Sequence, residues 1–407
     1  MTRHMAHIII EADTPLKVGS NASDFLQDAP VQKDWNALPM ILGTSIAGVL
    51  RKDFKGNVDD IFGKDNGSRV IFSNALLVDE NGKVYEELLL KKTPFLQIFD
   101  NLPIREHTAI TSKGVAKEHS KFDEEVVYKG TRFKFSIELI EDDKESFDAI
   151  VNLLNSPSFR LGGGSTKGFG KFTIVEIKTT SKECSSSLND DFKDEENYKQ
   201  NSIDSDYMLY TLKIKPDDFF MFGSGFGDKD AGMTPVYEKT VDYTNARLSE
   251  EMILIPASSI KGAISHRTAF YYNKSQSNTI ENGKGIGRVK EIFGEEKNSK
   301  KDIEVGKGKV IFSDCFQTKN STKVFDHVSI DRFTGGAIDG ALFQEKTVAD
   351  DKEYKIEILL ESGLDEEYKE AFESALTDIT TGMLSLGGAT TKGHGVFSGS
   401  WSKTDAK

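Results

Sequence analysis

Leu161-Gly-Gly-Gly-Ser-Thr-Lys-Gly-Phe-Gly-Lys-Phe172 returns near the far end of the chain as Leu386-Gly-Gly-Ala-Thr-Thr-Lys-Gly-His-Gly-Val-Phe397. The leading Leu, most of the glycines, the Thr-Lys-Gly step and the closing Phe keep their register. Other landmarks repeat in the same order: Asp60-Ile-Phe-Gly63 with Glu291-Ile-Phe-Gly294, Arg69-Val-Ile-Phe-Ser73 with Lys309-Val-Ile-Phe-Ser313, and Leu42-Gly-Thr-Ser-Ile-Ala-Gly48 with Pro256-Ala-Ser-Ser-Ile-Lys-Gly262. An ordered series of this kind marks a duplicated unit. The 407 residues therefore divide into two copies of a domain of ordinary size, 1–180 and 207–407, joined by an acidic disordered linker over 181–206.

Residues 183–206 carry eight carboxylates against two lysines, almost half of the chain's formal charge of −13, with few aliphatic side chains. Such a segment cannot bury enough to order itself. The acidity thus belongs to a tether and says little about the binding face of either copy. No run reaches the eighteen or so apolar residues of a membrane span, and Met1-Thr-Arg-His-Met-Ala-His7 lacks the apolar core of a secretion signal. The expectation is a cytoplasmic protein that makes no membrane contact. Cys184 and Cys315 are the only cysteines, and the seven histidines show no pair at ligand spacing. This excludes a disulfide framework and leaves no zinc site evident.

Each copy opens on a strand, His7–Ala12 and Met208–Ile214, and then steps into a helix, which in the second copy begins near Ile255 with Ser258 or Ser259 as its cap. Strands are predicted at Val70–Phe72 and Phe133–Leu139 and again at Val310–Phe312 and Tyr354–Leu360. Second helices follow at Ser146–Leu154 and Glu366–Leu376, and each glycine-rich loop leads into a last strand. The order β-α-β-β-α-β with long insertions predicts an α+β fold of two tandem ferredoxin-like, RRM-like domains.

Two kinds of segment carry chemistry. In the glycine-rich loops, Gly162, Gly163, Gly168 and Gly170 permit positive φ and close approach, and Gly388 repeats the arrangement in the second copy. Free amides beside Lys167 and Lys392 would suit a polyanion; a tight turn packed on its own sheet is the competing reading. The loop is no nucleotide P-loop, because Thr166-Lys167-Gly168 precedes a strand rather than a helix. At the helix starts, Thr44 and Ser45, Ser258 and Ser259 stand where four amides lack partners, which suits either an anion or plain capping. Arg51, Lys52, Lys261 and Arg267 add positive charge near those ends, as a phosphate backbone requires.

Taken together, these segments resemble the repeat-associated mysterious protein (RAMP) superfamily, in particular the backbone subunits of type III CRISPR effector complexes. Those subunits carry an Asp-Ser-Pro-Val segment, a Pro-Gly-Ser-Ser-Leu-Lys-Gly helix start, an Ile-Asp-Arg-x-Thr-Gly segment and a glycine-rich loop. Here Asp28-Ala-Pro-Val31, Leu42–Gly48 and Leu161–Phe172 match in the first copy; Ile255–Gly262, Ile330-Asp-Arg-Phe-Thr-Gly335 and Leu386–Phe397 match in the second. Arg332 and Thr334 join the candidate RNA contacts through that match. The resemblance implies a filament that holds guide RNA and cuts the paired target RNA, one loop aspartate per cutting domain promoting attack of a ribose 2′-OH on the next phosphate. Carried over, that residue is Asp28, and a divalent cation, Mg2+ or Mn2+, is implied with it. In the second copy Met233 stands at that place; either Asp230 serves from a shifted loop or this copy holds RNA without cutting. The partners implied are guide RNA, target RNA, other RAMP-type subunits, and a large signature subunit and a small subunit.

Three readings remain open on sequence: a guide-binding, target-cutting double subunit; the same scaffold without catalysis; and a guide-processing endoribonuclease of the superfamily. The last relies on a histidine acid or base. His107, His119, His266 and His394 fall at no shared position when the copies are aligned by their motifs. Ile104-Arg-Glu-His-Thr108 is aligned with Ile330-Asp-Arg-Phe-Thr334, which makes Arg105 a further phosphate candidate.

Overall fold

The chain is described here from a computed structural model that covers residues 2–20, 30–64, 66–111, 116–183, 195–199, 201, 205–277, 284–294, 307–319 and 321–406, with side chains 284–288 left aside. Asp28 and most of the acidic segment lie outside the described residues.

The first domain is built from β1 (Thr2–Ala12), α1 (Gly43–Asp53), β2 (Val70–Phe72), a hairpin of β3 (Ile104–Ile110) and β4 (Ala116–Glu125), β5 (Arg132–Ile140), α2 (Lys144–Leu153) and β6 (Phe172–Glu183). β6, β1, β5 and β2 lie side by side and antiparallel, the ferredoxin-like order. The alternation read in the sequence is the cause: Ala6, Ile8 and Ile10 of β1 and Phe133, Phe135, Ile137 and Leu139 of β5 turn to one face and are buried. Ile46 and Leu50 of α1 and Phe147, Ile150 and Val151 of α2 cover that face. Each such side chain contributes about 1.5–3 kcal/mol by leaving water.

The second domain repeats this with β7 (Tyr207–Pro216), α3 (Ala257–Ser275), β8 (Val310–Ser313), a hairpin of β9 (Ser321–Ile330) and β10 (Ala337–Ala349), β11 (Tyr354–Glu361), α4 (Glu366–Thr380) and β12 (Phe397–Asp405). Its sheet runs β12, β7, β11, β8, again antiparallel. The duplication extends to single ring pairs, since Phe62 stacks on Phe72 at 6.0 Å and Phe293 on Phe312 at 6.4 Å. No helix among the described residues is long and apolar enough to cross a membrane.

Three sequence expectations change. Residues 181–183 complete β6, and Glu196–Asn197 pair with Thr179 and Lys178 as an edge strand, so the segment read as a linker contributes to the first sheet at both ends. Tyr198 Oη donates to Asp148 O at 3.4 Å and explains this docking, as a polar tether with one aromatic anchor. The helix starts use no hydroxyl cap: Asp314 Oδ1 accepts from Ala257 N at 2.8 Å, and Asn74 Oδ1 accepts from Gly43 N at 2.9 Å. Each domain also inserts a hairpin, β3–β4 and β9–β10, where the sequence reading placed no strands.

Candidate nucleic-acid interface

The two domains meet through the glycine-rich loop of the first. Lys167–Gly168 adds a short parallel strand to β8, pairing with Phe312 and Ser313. Gly168 has φ +109°, and a Cβ there would stand 2.4 Å from Asp314 Oδ1 and 2.6 Å from the Ala257 side chain, so only glycine lets this loop reach the start of α3. Its counterpart Gly393 has open space around the same position.

Arg105 of β3 locks the joint. Its guanidinium is buried, with Nη2 donating to Glu238 Oε2 at 2.9 Å, Nε to Glu238 Oε1, and Nη1 to Asp314 Oδ2 at 2.7 Å. Burial works against the charge on Arg105, but Asp314 and Glu238 outweigh it and raise its pKa. Lys171 bridges Asp13 and Glu357 at 2.9 and 3.0 Å, and Tyr243 of the second domain donates to Val78 O of the first at 2.8 Å. Arg105 is therefore a strut between domains rather than a phosphate ligand.

The glycine loops themselves hold few free amides. Gly163 N donates to Lys17 O, Gly170 N to Pro15 O, Gly388 N to Met221 O and Gly395 N to Phe219 O, which is the arrangement of a packed turn. Positive φ falls on Gly162, Gly164, Gly168 and Gly170, not on Gly163. What the loops present outward is lysine: Lys167 and Lys392 are both exposed. Lys261 donates to Thr166 Oγ1 at 2.9 Å, and burial, with Lys167 nearby, pulls its ammonium down to about 8.

Other predicted contacts scatter. Thr44 and Ser259 are exposed at the helix starts, with Ser45 and Ser258 half-buried beside them. Arg51 and Lys52 lie in the last turn of α1, the opposite end from the one expected, because the helix is only 11 residues long and both fall past its midpoint. Arg267 sits well along α3, paired with Asp378 and set 4.9 Å over Phe270. Arg332 and Thr334 are exposed at the tip of the β9–β10 hairpin, in a turn where Asp331 Oδ1 accepts from Phe333 N and Thr334 N at 2.7 and 3.0 Å. Val328, Ile330, Phe333 and Leu342 of that hairpin are exposed apolar side chains beside them.

In the second domain the loop position of Met233 is 40% exposed and lies against β10, where Met233 N donates to Gln344 O at 3.3 Å and Lys346 N to Met233 O at 2.9 Å. Asp228 and Asp230 both face Lys346 Nζ, at 2.6 and 2.8 Å. The Lys346 bond, with backbone N–H groups of Asp230 and Ala231, holds the Asp228 carboxyl down at about 2. These two carboxylates thus share one ammonium and, with no third ligating side chain grouped with them among the described residues, do not fit a divalent cation. Among the described residues no group of three or more His, Cys, Asp or Glu side chains could hold a metal ion.

The hairpins align through their pairing, and the alignment differs from that read in the sequence. Ile110 faces Ala116 and Ile330 faces Ala337, each just past a register shift. Ile330 therefore corresponds to Ile110, not to Ile104, which lies at the root of β3. His107 and His327 then share one position, facing Phe122 and Phe343. His-x-x-Ile at 107–110 and 327–330 was the signal available in the sequence. Two residues beyond each Phe stands a carboxylate: His107 Nε2 is 3.3 Å from Glu124 Oε2, and His327 Nε2 is 3.4 Å from Glu345 Oε2. Lys17 pairs with Glu124, while Lys392 reaches Glu345 Oε2 at 3.2 Å.

Burial alone would raise Glu124, but the adjacent His107 and Lys17 hold the carboxyl down at about 2; for Asp13, Lys129 and Lys171 likewise outweigh burial and give about 2. Both folded values lie below the unfolded ones, so their contribution to stability is complete above about pH 5 and is lost as pH falls through about 4 to 2. Denaturant unfolding between pH 6 and 2 is expected to show this loss, with a shallower fall for Glu124→Gln; an identical slope in the variant contradicts the assignment.

The sequence profile of the RAMP superfamily matches residues 9–173 and again 220–398, one match in each domain. A search of curated protein sequences finds no match. Among solved structures, a chain of the cryo-EM structure of the type III-B Cmr-beta bound to cognate target RNA is similar over 44% of this chain and 61% of its own length, at 16% identity and a TM-score of 0.33. With both folded halves matched in order and most of its length covered, this chain belongs to the RAMP superfamily.

Proposed function

We propose that this chain is a double backbone subunit of a type III CRISPR RNA-guided effector complex, working in the cytoplasm, that binds guide RNA and cleaves complementary target RNA by attack of a ribose 2′-OH on the adjacent phosphate. The observation that carries the reading is the fixed repetition. One chain presents the same hairpin and the same lysine-bearing loop twice, at an interval set by a buried joint. A ligand that suits such a surface is itself a repeating polyanion with stackable bases, and exposed aromatic and basic side chains on the second hairpin fit single-stranded RNA. Other RAMP-type subunits, a large signature subunit and a small subunit are the partners this reading implies.

Asp28 is assigned the 2′-OH proton in the first domain. The described carboxylates do not fit the divalent cation that the resemblance implies, and no step is assigned to it. Asp230 would have to leave Lys346 to act, which favours the Met233 loop as one without a working aspartate.

Copurified RNA, read as a high ratio of absorbance at 260 to 280 nm, is the first expectation. Replacing Lys167 and Lys392 together with Glu is then expected to weaken RNA binding about equally across sequences and to flatten the salt dependence by about one unit per lysine. An unchanged affinity and salt slope would leave the loops as packing turns only.

A further inference from the structure

The two His–Glu pairs at the hairpin roots have no part in the account so far. They are built alike: His107 stacks on Phe122 at 5.2 Å and His327 on Phe343 at 4.8 Å, both at 20°. Each imidazole faces a carboxylate that is 8% exposed in Glu124 and fully buried in Glu345. A buried carboxylate needs a cation, and lysine supplies it twice from unrelated places, Lys17 after β1 and Lys392 in the glycine loop. The histidines are surplus to that need. Each imidazole is partly open, with side chains 14% and 29% exposed, and lies beside a more exposed lysine, Lys17 at 22% and Lys392 at 41%. His107 Nε2, His327 Nε2 and Glu345 Oε1 are buried and make no hydrogen bond. The pairing of Met233 with the Gln344–Lys346 stretch sets the loop position that corresponds to Asp28 beside the His327–Glu345 pair.

We propose that His107 and His327 are proton-transfer groups for RNA strand scission, one per domain, and that the second works without a loop aspartate. The inference rests on the reading of the chain as an RNA-cutting subunit. In the second domain the neutral His327 imidazole takes the proton of the ribose 2′-hydroxyl as O2′ bonds to phosphorus. The P–O5′ bond breaks, the departing 5′-oxygen takes a proton from solvent water, and the products are a 2′,3′-cyclic phosphate and a 5′-hydroxyl. Glu345 orients the imidazole and stabilises the imidazolium that forms. Lys392, 41% exposed and 4.8 Å over Phe343, is placed to meet the charge growing on the phosphate. His394, with Nε2 3.7 Å from Glu345 Oε1 and largely buried, is a positioning residue. The other charged groups around His327 are Asp326, which accepts from Gln344, and Lys323 over Phe325; around His107 they are Glu106 with Lys121.

The test uses the full-length chain loaded with guide RNA, complementary target RNA, and the variants His327→Gln, Glu345→Gln and Glu345→Asp. His327→Gln is expected to slow the second domain's cut on the order of 10²-fold while sparing the first domain's cut and guide binding. Glu345→Gln is expected to slow the same cut while guide binding and the first domain's cut stay at wild-type levels, and Glu345→Asp to restore part of the rate; a packing role would disturb guide binding as well. An unchanged rate in His327→Gln overturns the inference, as does an unchanged rate in Glu345→Gln. Because His327 is partly exposed, its variant decides alone if Glu345→Gln does not fold. If the wild type cuts at one position only and Asp28→Ala removes it, the second centre is refuted and the proposed function stands. If the wild type holds guide and target and never cuts, the cutting reading falls and takes this inference with it.

Discussion

Arg105→Ala is expected to destabilise the joined chain by about 3–5 kcal/mol and to split its unfolding into two transitions. The magnitude follows from what remains. Glu238 and Asp314 would face each other in a buried site with no cation, and Asp314 would be left only its bond to Ala257 N. Arg105→Met should lose about as much, because a packed side chain of similar size still leaves two carboxylates uncompensated. Differential scanning calorimetry of the wild type and both variants checks this; a single transition at the wild-type midpoint contradicts the role given to the joint.

Much of each domain was legible in the sequence, for a physical reason. Strands with one buried face must alternate, and Ile8, Ile10, Phe133 and Phe135 do so without interruption. The glycine loop revealed the duplication because several of its backbone positions admit little else. What the sequence could not display is where the first loop goes. Gly168 is required by Asp314 and Ala257, residues far along the chain, so the joint exists only in three dimensions. Arg105 looked like a phosphate ligand because an arginine in a polar stretch carries no mark of its buried partners. The hairpins were misaligned because the Ile-x-x-x-Thr resemblance at Ile104 fell six residues short of the true counterpart, Ile110. With that slip, the shared position of His107 and His327 disappeared. Arg51 and Lys52 were placed at the wrong helix end because charge was read without the helix length.

The second large effect concerns cutting. A group that takes the 2′-OH proton contributes on the order of 10²–10⁴-fold to such a reaction, whereas one loop side chain adds little to an extended polyanion interface. Asp28→Ala should therefore retain guide RNA at wild-type occupancy while slowing one target cut by that factor. Asp230→Ala should change neither cut, since Asp230 is engaged by Lys346. The decisive measurement maps target-RNA cuts, position by position and over time, for the guide-loaded wild-type and Asp28→Ala chains. The account predicts guide-bound protein in both and one cut lost from the variant; target RNA cut at the same positions and rates by both, or no RNA held by either, would contradict it.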